Sequence, residues 1–437
     1  MEFWELTIRF FSLTDANVRY VVAGSVLLGG IAGTFGCFAF LQKRSLIGDA
    51  IAHATLPGVA FAFLILGEKK LHWLLLGAAI SGWLGALAIN AIVRYSRLKL
   101  DAALGIVLSV FFGLGIVLLT FIQKSGAGAQ SGLDKFLFGQ AAAIGRADVV
   151  ILAISGIIML AILLALYGRF KLLTFDSEFA GSLGVNVGML QFVLTTMLVV
   201  AVTIGLQAVG VVLMSAILII PAASARQWTD KLGLMILLSA LFGMLSGILG
   251  AYISFLKPHF PTGPWIVVVS ALIFTFSILL APNRGLISRL LRHLQNRFKM
   301  TQDHILKVLF KAGMDSRNWK AFYPRAQISQ MWSFTESELR RGIRHLIKKG
   351  LLDREGNMYR LTDDGIKAGA RVTRLHRLWE VYLSRYLDLP EDHVHRDAEE
   401  MEHIITPEVE KMLEEMLGHP VLDPHHQEIP YFDKVEK

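Results

Sequence analysis

Residues 45–63 read SLIGDAIAHATLPGVAFAF. The stretch belongs to an apolar run, 47–67, of about the 20 residues needed to cross a ~30 Å hydrocarbon layer. It carries only two ionisable side chains, Asp49 and His53. Their i,i+4 spacing puts both on one face of a helix. Counted from Lys43-Arg44 at 1.5 Å per residue, His53 lies roughly 13 Å into the span. Pro57-Gly58 follows within a turn. Proline removes a backbone hydrogen bond and glycine loosens the helix, so an interruption that frees carbonyls is predicted there. Transporters place substrate at such breaks. A carboxylate with an imidazole suits Mn²⁺, Zn²⁺ or Fe²⁺. The plainer alternative is an Asp49 that pairs with a basic group at the membrane face and a His53 that serves only packing. Two ligands do not complete a metal shell, so further ligands are expected from other spans.

Around this segment the chain is too apolar for an ordinary soluble domain: 54% of its 437 residues are hydrophobic and the mean hydropathy is +0.52. Apolar runs at roughly 19–41, 47–67, 72–93, 102–122, 148–168, 187–206, 207–225, 232–255 and 264–282 predict an all-α polytopic membrane protein with about nine spans. The sixth and seventh nearly merge, so eight is the alternative count. Residues 1–18 read as an amphipathic segment ahead of the membrane domain, 19–282. The opening residues lack the pattern of a cleaved signal, and the first span is expected to direct insertion. Residues 1–297 hold 21 Lys+Arg against 11 Asp+Glu, whereas 298–437 hold 22 against 24. The net +8 therefore belongs to the membrane part, where it bears on topology and not on nucleic acid. Basic groups at Lys43-Arg44, Arg94-Arg97-Lys99, Arg169-Lys171, Arg226-Lys231 and Arg284-Arg289-Arg292 mark every second connection. They place the N-terminus outside and the C-terminus in the cytoplasm. Lys69-Lys70, Lys124, Lys135 and Arg146 run against that bias. The single cysteine, Cys37, excludes an internal disulfide or a thiolate cage.

The stretch GDAIAHATLPGVA (48–60) resembles the signature of the permeases of manganese, zinc and iron ABC importers. So do DAALGIVLSVFFGLGIVLL (101–119), LDKFLFGQ (133–140), LLTFDSEFAGSLGV (172–185) and AVGVVLMSAILIIPAASAR (208–226). The resemblance spans residues 20–282 and implies that Asp49 and His53 act in metal passage. It further implies a second permease subunit in a homo- or heterodimer, a cytoplasmic ABC ATPase, an extracellular metal-binding lipoprotein and residence in a bacterial plasma membrane. The segment PAASARQWTD (221–230), with Pro221, Ala222, Ser224 and Arg226, would be the element that docks on the ATPase; its plainer reading is a loop ended by Pro221. The chain has no GxxxxGK[ST] phosphate loop, so ATP hydrolysis is expected from a partner and the chain is not expected to be an enzyme. Small residues such as Gly24, Gly29, Gly30, Gly33 and Gly36 are read as close-packing positions.

Beyond a basic amphipathic linker (283–300) the pattern becomes that of a soluble α+β domain. QISQMWSFTESELRRGIRHLIKKG (327–350) reads as helix, turn, helix, with a Thr335/Glu338 capping box. Ser337, Arg340, Arg341 and Arg344 lie on the polar face of the second helix and Leu339, Ile343 and Leu346 on its apolar face. A hairpin turning at Gly356-Asn357 follows, which makes 301–365 a winged helix. Such helices enter the DNA major groove, and such domains also serve as protein-docking modules. In the helical region 366–437, His376 and Glu380 are four apart, and HVHRDAEEMEH sets His395, Glu399, Glu402 and His403 at helical spacing. Imidazoles and carboxylates without thiols favour Mn²⁺ or Fe²⁺ over structural Zn²⁺; the alternative is a solvated acidic helix with incidental histidines.

RLHRLWEVYL, VHRDAEEMEH and HPVLDPH resemble DtxR/MntR-type metalloregulators over about 301–430. The resemblance implies one metal site at His376, Glu380 and His395, another at Glu399, Glu402 and His403, and an acidic ligand near the domain start at Asp303. The second acidic position of manganese sensors is occupied here by Leu306. Glu399 stands where manganese sensors carry Glu and iron sensors Cys. His425 and His426 read as surface residues. The combined expectation is a permease for a divalent transition metal, manganese ahead of zinc or iron, with a cytoplasmic sensor domain. The alternatives are a membrane-tethered metal-responsive transcriptional regulator, which needs far fewer spans, and a stand-alone secondary transporter, which usually shows inverted repeats.

Overall fold

The computed structural model describes residues 3–67, 70–124, 139, 141, 144–257, 260–387 and 407–431. Two compact units divide at Ser288–Arg289.

The first unit is helical. A short helix α1 (Phe3–Phe11) precedes α2 (Ala16–Leu41), α3 (Ile47–Leu66), α4 (Leu71–Tyr95), α5 (Leu100–Lys124), α6 (Arg146–Phe175), α7 (Ser177–Ser182), α8 (Val187–Val209), α9 (Val211–Trp228), α10 (Leu232–Leu256) and α11 (Thr262–Leu280). Among the described residues nine of these, α2–α6 and α8–α11, are long and apolar enough to cross a membrane. The near-merged sixth and seventh runs are two helices because Gly210 takes φ 85° and ψ 167°, a conformation open essentially to glycine alone.

The packing of α2 on α10 explains the glycines of the first span. A Cβ on Gly29 would run into the carbonyl of Gly243, and one on Gly243 into that of Gly29. Beside them Ser239 Oγ donates to Gly33 O at 2.7 Å. Without a side chain at the crossing the backbones approach closely, which is how spans adhere where lipid removes the hydrophobic drive. Phe38 and Phe170 meet edge-on at 5.9 Å in the core of this unit, while Ile154, Ile157, Ile158 and Leu164 of α6 face outward, as a lipid-facing surface requires. The expected interruption at Pro57 does not occur: α3 runs unbroken from Ile47 to Leu66 with Pro57 inside it. Proline still removes the donor for the His53 carbonyl. Ser81 Oγ of α4 donates to the neighbouring Ala54 carbonyl at 2.6 Å, and packing by α4 and α5 holds the helix together.

The second unit starts inside α12 (Leu286–Ser316). That helix crosses both the expected linker, 283–300, and the expected domain start at 301 without a break. Its later half buries Ile305, Leu306, Leu309 and Phe310 against Ile328, Leu339, Ile343, Leu346 and Tyr359. Helices α13 (Arg325–Met331) and α14 (Glu336–Lys348) form the helix-turn-helix, with Arg325 and Glu336 paired at 2.8 Å across the turn. Strands β1 (Tyr323–Pro324), β2 (Leu352–Glu355) and β3 (Met358–Leu361) make an antiparallel sheet of order β1-β3-β2. This is a winged helix. Helix α15 (Asp363–Leu387) packs on α16 (Pro407–Leu417) through Leu378, Val381, Leu413 and Leu417.

The capping box is formed: Thr335 Oγ1 donates to Glu338 Oε2 at 2.6 Å, and Glu338 N donates back to Thr335 Oγ1 at 3.4 Å. Hydrogen bonds from Thr335 hold the Glu338 carboxyl below its ordinary value. A carboxylate with a depressed folded pKa contributes stability above its unfolded pKa and loses it as pH falls through the folded value. Glu338→Ala is therefore expected to lower the unfolding free energy of the winged helix by about 0.5 kcal/mol at neutral pH, the scale of a solvent-screened carboxylate in a first turn. The gap between variant and wild type should close below the carboxylate range. Denaturant midpoints at the two pH values check this, and a pH-independent gap would reject it.

Candidate metal sites

In the membrane unit the first turn of α3 carries Asp49, and one turn on is His53. The N-terminal end of a helix favours a carboxylate. Because the helix begins at Ile47, and residues 42–46 form the turn before it, His53 is about 9 Å along the helix axis, shallower than the sequence count implied. His53 Nε2 stands 3.5 Å from Asp49 Oδ1, with side chains 13% and 26% exposed. The imidazole lies edge-on against Phe112 of α5 at 4.8 Å, and its Nδ1 is buried and makes no hydrogen bond among the described residues.

An i,i+4 ion pair is worth only roughly 0.2–0.5 kcal/mol, and ionisable groups in an apolar span cost more to desolvate the deeper they lie. A buried ring nitrogen without a partner adds to the cost. A cation could use one imidazole nitrogen together with the carboxylate. Among the described residues no third His, Cys, Asp or Glu joins them in a cluster.

The expected ATPase-docking segment is not a loop. Helix α9 continues through Pro221 to Trp228, and Pro221, Ala222 and Ser224 are buried within the unit. Ser224 Oγ bonds back to Ile220 O at 2.8 Å. A side chain covered by its own fold offers a partner nothing, so of the four expected docking residues only Arg226 remains at the surface. It pairs with Asp230 at 3.0 Å, which also binds Arg284.

In the second unit His376 and Glu380 are both nearly fully buried on α15, with Nε2 to Oε1 at 3.2 Å. The loop after α16 reaches them: His425 Nε2 is 4.0 Å from the same Glu380 oxygen. Donors cis to one another on a metal at about 2.2 Å stand about 3.1 Å apart, so the first distance matches such a site and the second is longer than it. His376 and Glu380 offer a nitrogen and an oxygen at ligand spacing, and among the described residues no third His, Cys, Asp or Glu completes a cluster with them. His425 and His426 are exposed, as the sequence reading had them; that His425 comes near Glu380, 45 residues away, follows only from the folding back of the tail.

That fold-back is held by Arg377. Its Nη2 donates to Gln427 Oε1 at 2.8 Å, Nη1 donates to Glu428 O, and Nε stands 3.5 Å from Asp423 Oδ2. Burial pushes the guanidinium down from its ordinary value, and Asp423 and Glu380 pull it back up. Arg371 and Arg374 both grip the buried Glu410, the former at 2.8 Å, tying α15 to α16. Asp303 is half-buried near the start of the winged-helix core, and Leu306 is buried inside it, so that position is a packing site. Ser337, Arg340, Arg341 and Arg344 are all exposed on α14. His395, Glu399, Glu402 and His403 lie outside the described residues.

Residues 14–281 match the ABC 3 transport family, and residues 362–431 match the iron dependent repressor, metal binding and dimerisation domain. The manganese transport system membrane protein MntC of Bacillus subtilis is 40% identical over 381 residues, 87% of this chain and 87% of its own length. The zinc transport system membrane protein TroC of Treponema pallidum is 45% identical over 284 residues, 65% of this chain and 95% of its own. Among solved structures, PsaBC from Streptococcus pneumoniae in complex with Fab is similar with a TM-score of 0.57 and 32% identity, over 64% of this chain and 97% of that one.

Proposed function

This chain belongs to the ABC 3 transport family, and we propose that it is the permease of a metal importer whose C-terminal domain senses the metal delivered to the cytoplasm. The observation that carries the transport half is the Asp49–His53 pair, two metal donors embedded in an otherwise apolar helix with a ring nitrogen left unbonded. The sensing half is supported by the buried His376–Glu380 pair, with His425 facing it, inside a domain of the repressor metal-binding type. Manganese is the metal proposed. Every donor in both sites is imidazole or carboxylate, and the only thiol, Cys37, is buried elsewhere. Relatives named for manganese and for zinc transport both stand near this chain. The resident partners follow from the family: a cytoplasmic ATPase, an extracellular metal-binding lipoprotein and a second permease subunit.

Sensing on the same chain as the pore supports feedback. Metal at His376, Glu380, His395 and His425, and at Glu399, Glu402, His403 and Asp303, would order α15 and the tail as internal metal rises. Uptake of Mn²⁺, Zn²⁺ and Fe²⁺ by the full chain and by a chain ended at residue 285, each with its ATPase and binding protein, tests this. The Treponema relative aligns over 95% of its own length to 65% of this chain, so a relative of this kind does without about a third of it. The shortened chain is expected to transport one metal but to keep taking it up at internal concentrations that slow the full chain. Equal slowing of both forms would move the tail's role elsewhere. DNA is the second reading, favoured by the four exposed residues Ser337, Arg340, Arg341 and Arg344 on α14.

A further inference from the structure

Helix α12 presents two chemistries before it enters the winged-helix core. Leu286, Ile287, Leu290, Leu291 and Leu294 are between 43% and 58% exposed. Their spacing (i, i+1, i+4, i+5, i+8) gathers them on one face, and Arg289, Arg292 and Lys299 fall on the other. The face ends where packing begins: Arg297 Nη2 donates to Glu338 Oε1 at 3.3 Å, and Phe298 meets His345 edge-on at 5.3 Å. The five aliphatic residues are left about half exposed.

The start of α12 is fixed to the end of the last span. Gly285 N donates to Ala281 O at 2.8 Å and Ser288 Oγ donates to the same carbonyl at 3.1 Å. A Cβ on Gly285 would collide with Ala281, so the tight turn demands glycine. Span α11 ends at Leu280 and α12 begins six residues later. The first apolar turn of α12 is thus held at the level where the chain leaves the hydrocarbon.

We propose that residues 286–296 lie in the cytoplasmic headgroup region of the bilayer, with the aliphatic face toward the acyl chains and the basic face toward anionic lipid phosphates. A helix with a narrow apolar stripe and an arginine-rich opposite face is suited to that boundary and not to spanning. The cytoplasmic leaflet carries the negative surface charge that complements it. Helix α12 continues unbroken to Ser316, so the segment at the lipid surface and the sensor's central helix belong to one helix. The inference rests on the cytoplasmic placement of the C-terminal domain.

Cysteine accessibility in the full chain tests it. The native Cys37 is buried and stays silent. Leu290→Cys on the apolar face and Asn296→Cys on the polar face are compared in nanodiscs of phosphatidylglycerol and of phosphatidylcholine. In the anionic discs the thiol of Leu290→Cys is expected to react at least about tenfold more slowly than that of Asn296→Cys, and in neutral discs the difference should shrink. Equal reactivity of the two thiols in anionic discs overturns the proposal. So does disulfide capture of Leu290→Cys between two copies, which would make the face a dimer contact. Equal protection in both lipids removes the anionic selectivity. Labelling of Asn296→Cys by an impermeant reagent only from outside the cell would instead overturn the cytoplasmic placement.

Discussion

Asp49→Asn and His53→Ala are each expected to cut metal uptake by on the order of 100-fold or more while leaving the protein inserted and monodisperse. The two effects separate because their energies differ in scale. The helix-terminal charge and the i,i+4 pair together contribute about 1 kcal/mol or less to the fold, so a span buried against α4, α5, α8 and α9 survives their loss. A cation crossing the hydrocarbon, by contrast, must exchange its water for fixed donors, and on the proposed path Asp49 Oδ1 and His53 Nε2, 3.5 Å apart, would supply two of them. Asp49→Asn keeps the shape and removes only the charge. Radiolabelled Mn²⁺ uptake with normal levels of protein in the membrane is the check. Wild-type accumulation by both variants would end the assignment of this pair as the metal path.

The second large effect is in the cytoplasmic domain. Arg377→Ala is expected to destabilise the docked tail by about 3–5 kcal/mol, because it leaves the buried Asp423 carboxylate without its cation. A loss of that size is a large part of the stability of a typical domain. The segment 418–431 should then come away from α15 and become protease-sensitive in the full chain. Arg377→Lys is not expected to rescue it, since an ammonium cannot reach Gln427, Glu428 and Asp423 together. Undocking also carries His425 away from Glu380, so Mn²⁺ affinity should fall with stability. An unchanged proteolysis pattern would show that the clamp is dispensable.

The two predictions differ in how far the sequence anticipated them. Asp49 and His53 stand out because charge in a hydrophobic span is costly, and a four-residue spacing is enough to place both on one face of a helix. The same local logic found the nine spans, the Thr335–Glu338 capping box, the hairpin at Gly356-Asn357 and the His376–Glu380 pair. Each depends on residues within a few positions of one another. What spacing misread depends on neighbours distant in sequence. Pro57 does not break α3, because α4 and α5 pack around the helix and Ser81 engages a carbonyl next to the freed one. Pro221 does not end α9, which continues to Trp228 with Ala222 and Ser224 buried by their own unit. The linker expected at 283–300 is the first half of a helix that runs on to Ser316, since nothing after Gly285 breaks it and the winged-helix core orders its second half.

Periodicity determined which stretches are helices, which cross the membrane and which faces carry metal donors, because those are properties of nearest neighbours along one chain. Only the tertiary structure decided that Gly29 and Gly243 meet, that Arg377 pins a loop some 50 residues away, and that His425 faces Glu380. Those contacts come from the closing of long loops, whose end points are set by the summed packing of whole elements and not by any local pattern.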